Sequence, residues 1–496
     1  MKTVCIEPSV SRGKKLVGST YSYLDRRQFL IGAACASLTT IGGVTRTAVA
    51  QQQKVLRPSA GRISLLSNGN LDIDGWTYNG QSPGQTLHFK QGETLNVKLV
   101  NDLSEDTSIH WHGIRTPNSM DGVPYVTQAP VKPGKNHSYS FECPDAGTYW
   151  YHPHSNSQAQ VGRGLCGAIV VEEDKPIEVD RDLVWVVADW RIGKDNQAAE
   201  DFGRLHDNSH AGRLGNKISL NGKVKPNLIV KPGERLRLRI INAATARIFS
   251  PKFSGISGWI VAMDGHPIEP RPIEANKHYL SPGNRWDLII DVPLGAASGA
   301  EYIVSDQTYR GRGFTLATLS RKGRSIRSKL LAPPKRMREN PLSIPELSKA
   351  AIKSIVFEGG AMGRMNKAFL DSKEMPLREL VKRGFVWSAN GKIHSSLQAL
   401  KDAERLLNLK RGSSYIFKLE NRTAFPHPIH LHGHAFQVVA RQGLKIEEPI
   451  WLDTVLVFPK ETVDIAFVAD NPGDWLLHCH VLGHAAAGMM AAISVA

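Results

Sequence analysis

The stretch His478-Cys479-His480-Val481-Leu482-Gly483-His484, followed by Ala485-Ala486-Ala487-Gly488-Met489, constrains this 496-residue chain more than any other. If it begins as a β-strand, alternate side chains point to opposite faces, so His478 and His480 share one face and Cys479 takes the other. One segment then serves two metal sites. Cys479, His484 five residues on and Met489 five beyond that offer a thiolate, an imidazole and a thioether. This is the donor set of a blue-copper electron-transfer centre lacking one histidine. His478 and His480, on the other face, need separate partners.

Histidines elsewhere cluster beyond chance. Random placement of 18 His in 496 residues gives fewer than one His-x-His pair, and the chain has five. They are His110-Trp111-His112, His152-Pro153-His154, His430-Leu431-His432, the overlapping His432-Gly433-His434, and His478-Cys479-His480. A single pair of this kind is more often a satisfied surface or core feature than a ligand pair. Repetition, with a cysteine inside one block, reverses that expectation.

Spacing supplies an independent argument. His110 and His112 precede His430 and His432 by 320 residues each, and His152 and His154 precede His478 and His480 by 326 each. Gly147-Thr148-Tyr149-Trp150-Tyr151-His152 parallels Gly473-Asp474-Trp475-Leu476-Leu477-His478, and both run on into strands of small residues. The chain therefore contains a diverged internal repeat. Two copies docked face to face would pool eight histidines, too many for one ion and suited to a cluster.

These motifs, HWHG at 110, HPHS at 152, HPIHLHGH at 427 and HCHVLGHAAAGMM at 478, resemble the four copper-binding stretches of a three-domain multicopper oxidase of the laccase type. The resemblance covers nearly everything after residue 60. It implies an all-β chain of three consecutive cupredoxin-like Greek-key sandwich domains and four copper ions. It assigns His427, Cys479, His484 and Met489 to a type 1 copper and His110 and His430 to a type 2 copper. His112, His152, His154, His432, His478 and His480 go to a type 3 pair, while His434 is not a ligand. Asp121 matches an acid beside the cluster that supplies protons, the alternative being a turn-forming Asp before Gly122. Some relatives carry a Glu where this chain has Ala485, which puts a second proton path there in doubt.

The first 50 residues do not read as fold. Asp25-Arg26-Arg27-Gln28-Phe29-Leu30 precedes a mildly apolar run and Ala48-Val49-Ala50, which resembles a twin-arginine export signal cleaved near Ala50. The run is short of the roughly 20 apolar residues a spanning helix requires. The expectation is a bacterial periplasmic or extracellular protein that meets the twin-arginine translocation machinery and has no stable membrane insertion. Removing residues 1–50 lowers the formal charge from +16 to +11. That balance reads as a solvated basic surface, with no nucleic-acid module. Cys143 and Cys166 are left as a candidate disulfide or as two small buried residues.

Short alternating strands punctuated by turns, such as Thr94 to Val100, mark the body as all-β. Domain 1 is placed at 60–174 and domain 2 at 178–320, followed by a basic linker at 321–349 and domain 3 at 350–496. Domain 2 resembles a copper-free spacer, and its His206, His210, His266 and His278 read as loop or surface residues. Ser395 to Leu409 reads as a polar insertion in which Leu397, Leu400 and Leu407 fall at helical spacing.

The resemblance implies four one-electron oxidations of a small reducing substrate coupled to reduction of dioxygen to two waters. Electrons enter near the exposed edge of a type 1 histidine, here His427, and pass through Cys479. With nine Met in the chain and Met362 and Met365 the only loose pair outside the Met489 ligand loop, no methionine-rich insertion is visible. That favours phenols or similar aromatic donors over cuprous ion, the enzymatic alternative. A non-catalytic copper-binding or cell-division scaffold of the same fold is the alternative of another class.

Overall fold

The structure, a computed structural model, describes residues 53–66, 69–273, 278–295, 297, 299–309, 311 and 313–496. The export segment and its cleavage position lie outside the described residues. No described helix is long and apolar enough to cross a membrane.

Strands dominate, joined by turns and a few short helices. Strand Thr94–Val100 shows why: Leu95, Val97 and Leu99 are buried while the residues between them are not, the two-residue period of a half-buried strand. It pairs antiparallel with Asn136–Glu142 and parallel with Lys54–Leu56, so the first domain begins before residue 60. Three large apolar cores follow in chain order. One surrounds Trp111 and Tyr139, the second Trp286 and Phe249, and the third Trp387, Phe417 and Trp475.

The repeat is visible in the topology. In the first domain the sheet runs Gly84–Lys90, Gly167–Glu172, Gly147–His152, His110–His112. In the third it runs Leu407–Leu409, Met490–Val495, Gly473–Cys479, His427–Leu431, Thr454–Val457. The outer pairs Gly84–Lys90 with Gly167–Glu172 and Leu407–Leu409 with Met490–Val495 are both parallel.

The middle domain departs from the alternation its sequence suggests. Strand Arg235–Asn242 is buried on both faces, arginines included. Arg235 pairs with Asp291 at 2.6 Å, Arg237 with Asp287 at 2.6 Å, and Arg239 with Asp182 at 2.7 Å. Glu173 of the first domain reaches Arg237 at 2.5 Å, so the arginine face is a domain interface. Burial of such charges is tolerated because each is paired and hydrogen-bonded.

Of the two readings left open for Cys143 and Cys166 the second holds, and two further expectations are corrected. Cys143 and Cys166 are free, buried thiols that belong to different apolar clusters. In the 395–409 insertion only Leu397–Asp402 is helical, capped by Ser396, whose Oγ accepts from the Ala399 amide at 3.0 Å. Leu407 instead starts a strand on Met490–Val495, because that edge has unpaired backbone groups to satisfy. The basic linker is more than a surface crossing. Asn340 within it bonds Ala146 of the first domain at 2.9 Å in both directions and donates to the Gly265 carbonyl of the second at 3.2 Å.

Candidate metal centre

Register places the histidines. His110 lies opposite His152 in one sheet, and His430 lies opposite His478 in the other. The alternation expected of the last strand holds. Cys479 enters the third domain's core with Trp475 and Met489, while His478 and His480 face the first domain's histidines. His110 stacks on His432 with centroids 3.9 Å apart, and His112 stacks on His430 at 3.8 Å.

Within this assembly, ring nitrogens of His112, His152 and His480 converge to within 4.8 Å, as do those of His154, His432 and His478, and those of His110, His112 and His430. All eight side chains are buried. Among the described residues His434 joins no such group; it packs on Trp475 and Phe467.

The tautomers fit metal binding. His110, His152 and His478 each donate through Nδ1 to a backbone carbonyl, at 2.9, 3.0 and 2.9 Å. His430 does the same to the Asp453 carbonyl at 2.9 Å, and His432 Nδ1 donates to Asp121 Oδ2 at 2.9 Å. His112 is reversed, its Nε2 donating to Asp453 Oδ1 at 3.0 Å. Such outer partners fix the lone pair on the opposite nitrogen. The inner nitrogens of His110, His112, His152 and His430, and both nitrogens of His154 and His480, are buried without any protein partner. Leaving one such group unsatisfied costs about 1–3 kcal/mol, so a set this large is explained by metal ions. Burial and neighbouring imidazoles push His112, His152, His154, His430, His432, His478 and His480 below their ordinary pKa, His478 to about 3, which keeps these seven neutral as ligation requires.

The second site uses Cys479, His427 and His484. The Cys479 Sγ lies 3.5 Å from His427 Nδ1 and 3.7 Å from His484 Nδ1, and the two Nδ1 atoms are 3.1 Å apart. These are edges that bonds of about 2.0–2.3 Å to one central ion would span. The outer nitrogens are capped: His427 Nε2 donates to Thr423 Oγ1 at 2.8 Å and His484 Nε2 to the His210 carbonyl at 2.8 Å. Met489 is buried in the same core, and its amide is held by the His484 carbonyl at 2.9 Å. Burial pushes the Cys479 thiol well up, so a bound cation is what would hold it as thiolate.

Contrary to expectation, His427 has no exposed edge; it is 0% exposed, as is His484. The Thr423 hydroxyl and Trp387, whose ring sits 4.9 Å from His427 and 4.7 Å from His484, close over them. Thr423 in turn lines an open groove of 730 Å3 with Met362, Arg364, Met365 and Glu358. His266, read as a surface histidine, is 1% exposed because the linker and the third domain cover it.

Sequence reasoning missed the groups behind the ligands. Asp453 bridges His112 and Arg285, whose guanidinium lies 2.7 Å from it. Burial acts to raise the Asp453 pKa, yet Arg285 and His112 hold it well below the carboxylate range. Asp264 accepts from Asn284, from the Arg285 amide and from the Asp453 and Thr454 amides. Arg285, Asp264 and Asn284 all come from the middle domain, which is thus no mere spacer. No spacing in the sequence marks any of them.

On another side, a cavity of 410 Å3 reaches the cluster, lined by His154, His478, Gln158, Ser396, Leu397 and Ala485. The insertion residues therefore cover the cluster rather than the Cys479 site. Its lining holds no carboxylate, whereas Asp121 lies against His110 and His432.

Fold and site together define a copper protein that joins a single electron-accepting centre to a polynuclear one. Multicopper oxidase family models match residues 62–176, 181–321 and 375–496. The chain is 28% identical to a multicopper oxidase, MmcO, of Mycobacterium tuberculosis over 92% of each chain. It is 27% identical to a laccase of Cryphonectria parasitica, covering 86% of this chain and 79% of that one. The crystal structure of a multicopper oxidase from Pseudomonas thermotolerans superposes with a TM-score of 0.76 at 34% identity, covering 90% of this chain and 99% of that one. The chain belongs to the multicopper oxidases. It is a copper-dependent oxidoreductase that oxidises a reducing substrate with dioxygen as acceptor.

Proposed function

We propose that the enzyme is laccase-like, taking single electrons from phenols or similar aromatic donors at the Cys479 site. The carrying observation is the 730 Å3 groove lined in part by Thr423, one hydrogen bond from His427. A groove of this size suits a small organic donor, and a relative named as a laccase supports the choice.

In this reading Cys479, His427, His484 and Met489 hold the type 1 copper, and His110 and His430 hold the type 2 copper. His112, His152 and His480 hold one ion of the type 3 pair, and His154, His432 and His478 the other. When bound, the four ions supply one-electron acceptance at the first site and four-electron reduction of dioxygen at the cluster. Cys479 is covalently flanked by His478 and His480, so its backbone is the shortest path between the sites. Asp121 orients His432 and His110 and hands protons toward the cluster, from a position that excludes bulk water. Each turnover balances as four phenols and one dioxygen giving four phenoxyl radicals and two waters.

Met362 and Met365 on the groove wall favour cuprous ion as the second reading, since thioethers suit a soft cation. Oxygen uptake with a dimethoxyphenol and with Cu(I) decides between them. A higher kcat/KM for the phenol, with one dioxygen consumed per four phenols, supports the first; preference for Cu(I) assigns the second. Arg26-Arg27 and the short apolar run after them support twin-arginine export to the periplasm, and replacing both arginines by lysine is expected to leave the precursor in the cytoplasm.

A further inference from the structure

The middle domain meets the third beside the Cys479 site through three consecutive carbonyls, two of which bond residues of that site. Helix Leu205–Ser209 ends there, and the last carbonyls of a helix lack intrahelical donors. Here the donors come from the third domain. The Asn208 carbonyl accepts from Trp387 Nε1 at 2.6 Å, the Ser209 carbonyl from the Ala361 amide at 2.8 Å, and the His210 carbonyl from His484 Nε2 at 2.8 Å. Trp387 and His484 are the ring that closes over the site and a ligand of it.

Charged side chains on the far side fix this turn. Arg191 forms a two-pronged pair with Asp207, at 2.6 and 3.0 Å, and its NH1 also reaches Asp201 at 2.8 Å. Arg213 holds Asp201 at 3.0 Å, and Arg191 Nε donates to the Leu214 carbonyl at 3.2 Å. The Asn208 side chain accepts from Gln158 of the first domain at 2.9 Å. Planar guanidinium bound through two parallel hydrogen bonds gives geometric precision that a single contact does not. Asp207 of this pair precedes His210 by only three positions in the chain.

We infer that Arg191 and Asp207 are positioning residues for the electron-accepting centre: their pair sets the His210 carbonyl against His484 and so tunes the redox potential of the ion held by Cys479. The inference rests on the type 1 assignment proposed above. A carbonyl accepting from Nε2 makes the opposite nitrogen a stronger donor and favours the more highly charged, oxidised ion. Releasing the carbonyl weakens that preference, and the potential rises.

The test uses the copper-loaded protein with Arg191→Gln, Asp207→Asn and Arg191→Lys. Visible absorption, redox titration and hydrogen exchange at residues 205–212 are the readouts. For the Gln and Asn variants the expected result is faster exchange in that segment, a shifted Cys479-to-copper absorption band and roughly a tenfold loss in preference for the oxidised ion, equivalent to about 59 mV for one electron. Arg191→Lys, which keeps the charge and loses the fork, falls between. Variants that exchange faster yet keep the wild-type band and potential overturn the inference. So does unchanged exchange in a folded variant, because the pair then does not hold the turn. A wild-type protein without the absorption band sinks the type 1 assignment instead, which separates the two failures.

Discussion

Asp121 and His432 lie 311 residues apart in the chain, and the carboxylate Oδ2 of one accepts from the ring Nδ1 of the other at 2.9 Å, with both side chains buried. This bond crosses between the two halves of the repeat. It places the acid directly behind a cluster ligand, where it can orient the ring and supply protons.

Asp121→Asn keeps an oxygen for His432 but removes the acidic proton. General acid–base groups contribute roughly 10²–10⁴-fold, so reoxidation of the fully reduced variant by dioxygen should slow by at least about 100-fold with copper retained. Single-turnover mixing measures this. Wild-type reoxidation in a fully loaded variant would remove Asp121 from the proton path.

Arg285 is wholly buried against Asp453, 2.7 Å away. Arg285→Met leaves that carboxylate without its cationic partner, and breaking a buried pair in this way costs about 3–5 kcal/mol. Denaturant unfolding of the copper-free chain should show the loss, with Asp453→Asn in the same background restoring part of it. Equal stability of Arg285→Met and wild type would contradict the account.

His266 is buried with its pKa pushed down by desolvation to about 4. The unfolded chain binds the proton first, near pH 6.5, so above that pH the group's ionisation costs the fold nothing. A destabilising effect grows as pH falls toward 4 and levels off below. The size is up to about 3 kcal/mol. His266→Phe should flatten stability against pH between about 6.5 and 4, read by chemical denaturation at several pH values; an unchanged slope would place the acid sensitivity elsewhere.

Thr423→Val keeps the shape of the groove lining but removes the acceptor for His427 Nε2. The cost of an unsatisfied buried donor is about 1–3 kcal/mol. It should appear as a changed Cys479-site absorption and a lower kcat for phenols, with dioxygen reduction by prereduced enzyme unaffected. A variant that matches wild type in band and kcat would detach the groove from electron uptake.

Much of the site was legible because strand alternation is rigid. Once His478-Cys479-His480 is a strand, Cys479 must face one way and its neighbours the other, and the offsets of 320 and 326 residues name the partner strands. What supports the ligands was not legible. Asp453 meets His112 across 341 positions, and the His210 acceptor for His484 is a backbone carbonyl 274 positions away, so no side-chain pattern marks it. Strand Arg235–Asn242 misled for a related reason. Alternation implies a solvated arginine face, and only the docked first domain, through Glu173, shows why it is buried. The covered edge of His427 likewise depends on how Thr423 and Trp387 fold back over it.

The most direct test is the copper content of the exported or copper-reconstituted protein and of Cys479→Ser. With one site at Cys479, His427 and His484 and a separate eight-histidine cluster, the account predicts about four ions in the wild type and about three in the variant, with loss of the thiolate absorption. Retention of all four ions and the band in Cys479→Ser, or a folded, copper-exposed wild type that binds little copper, would contradict it.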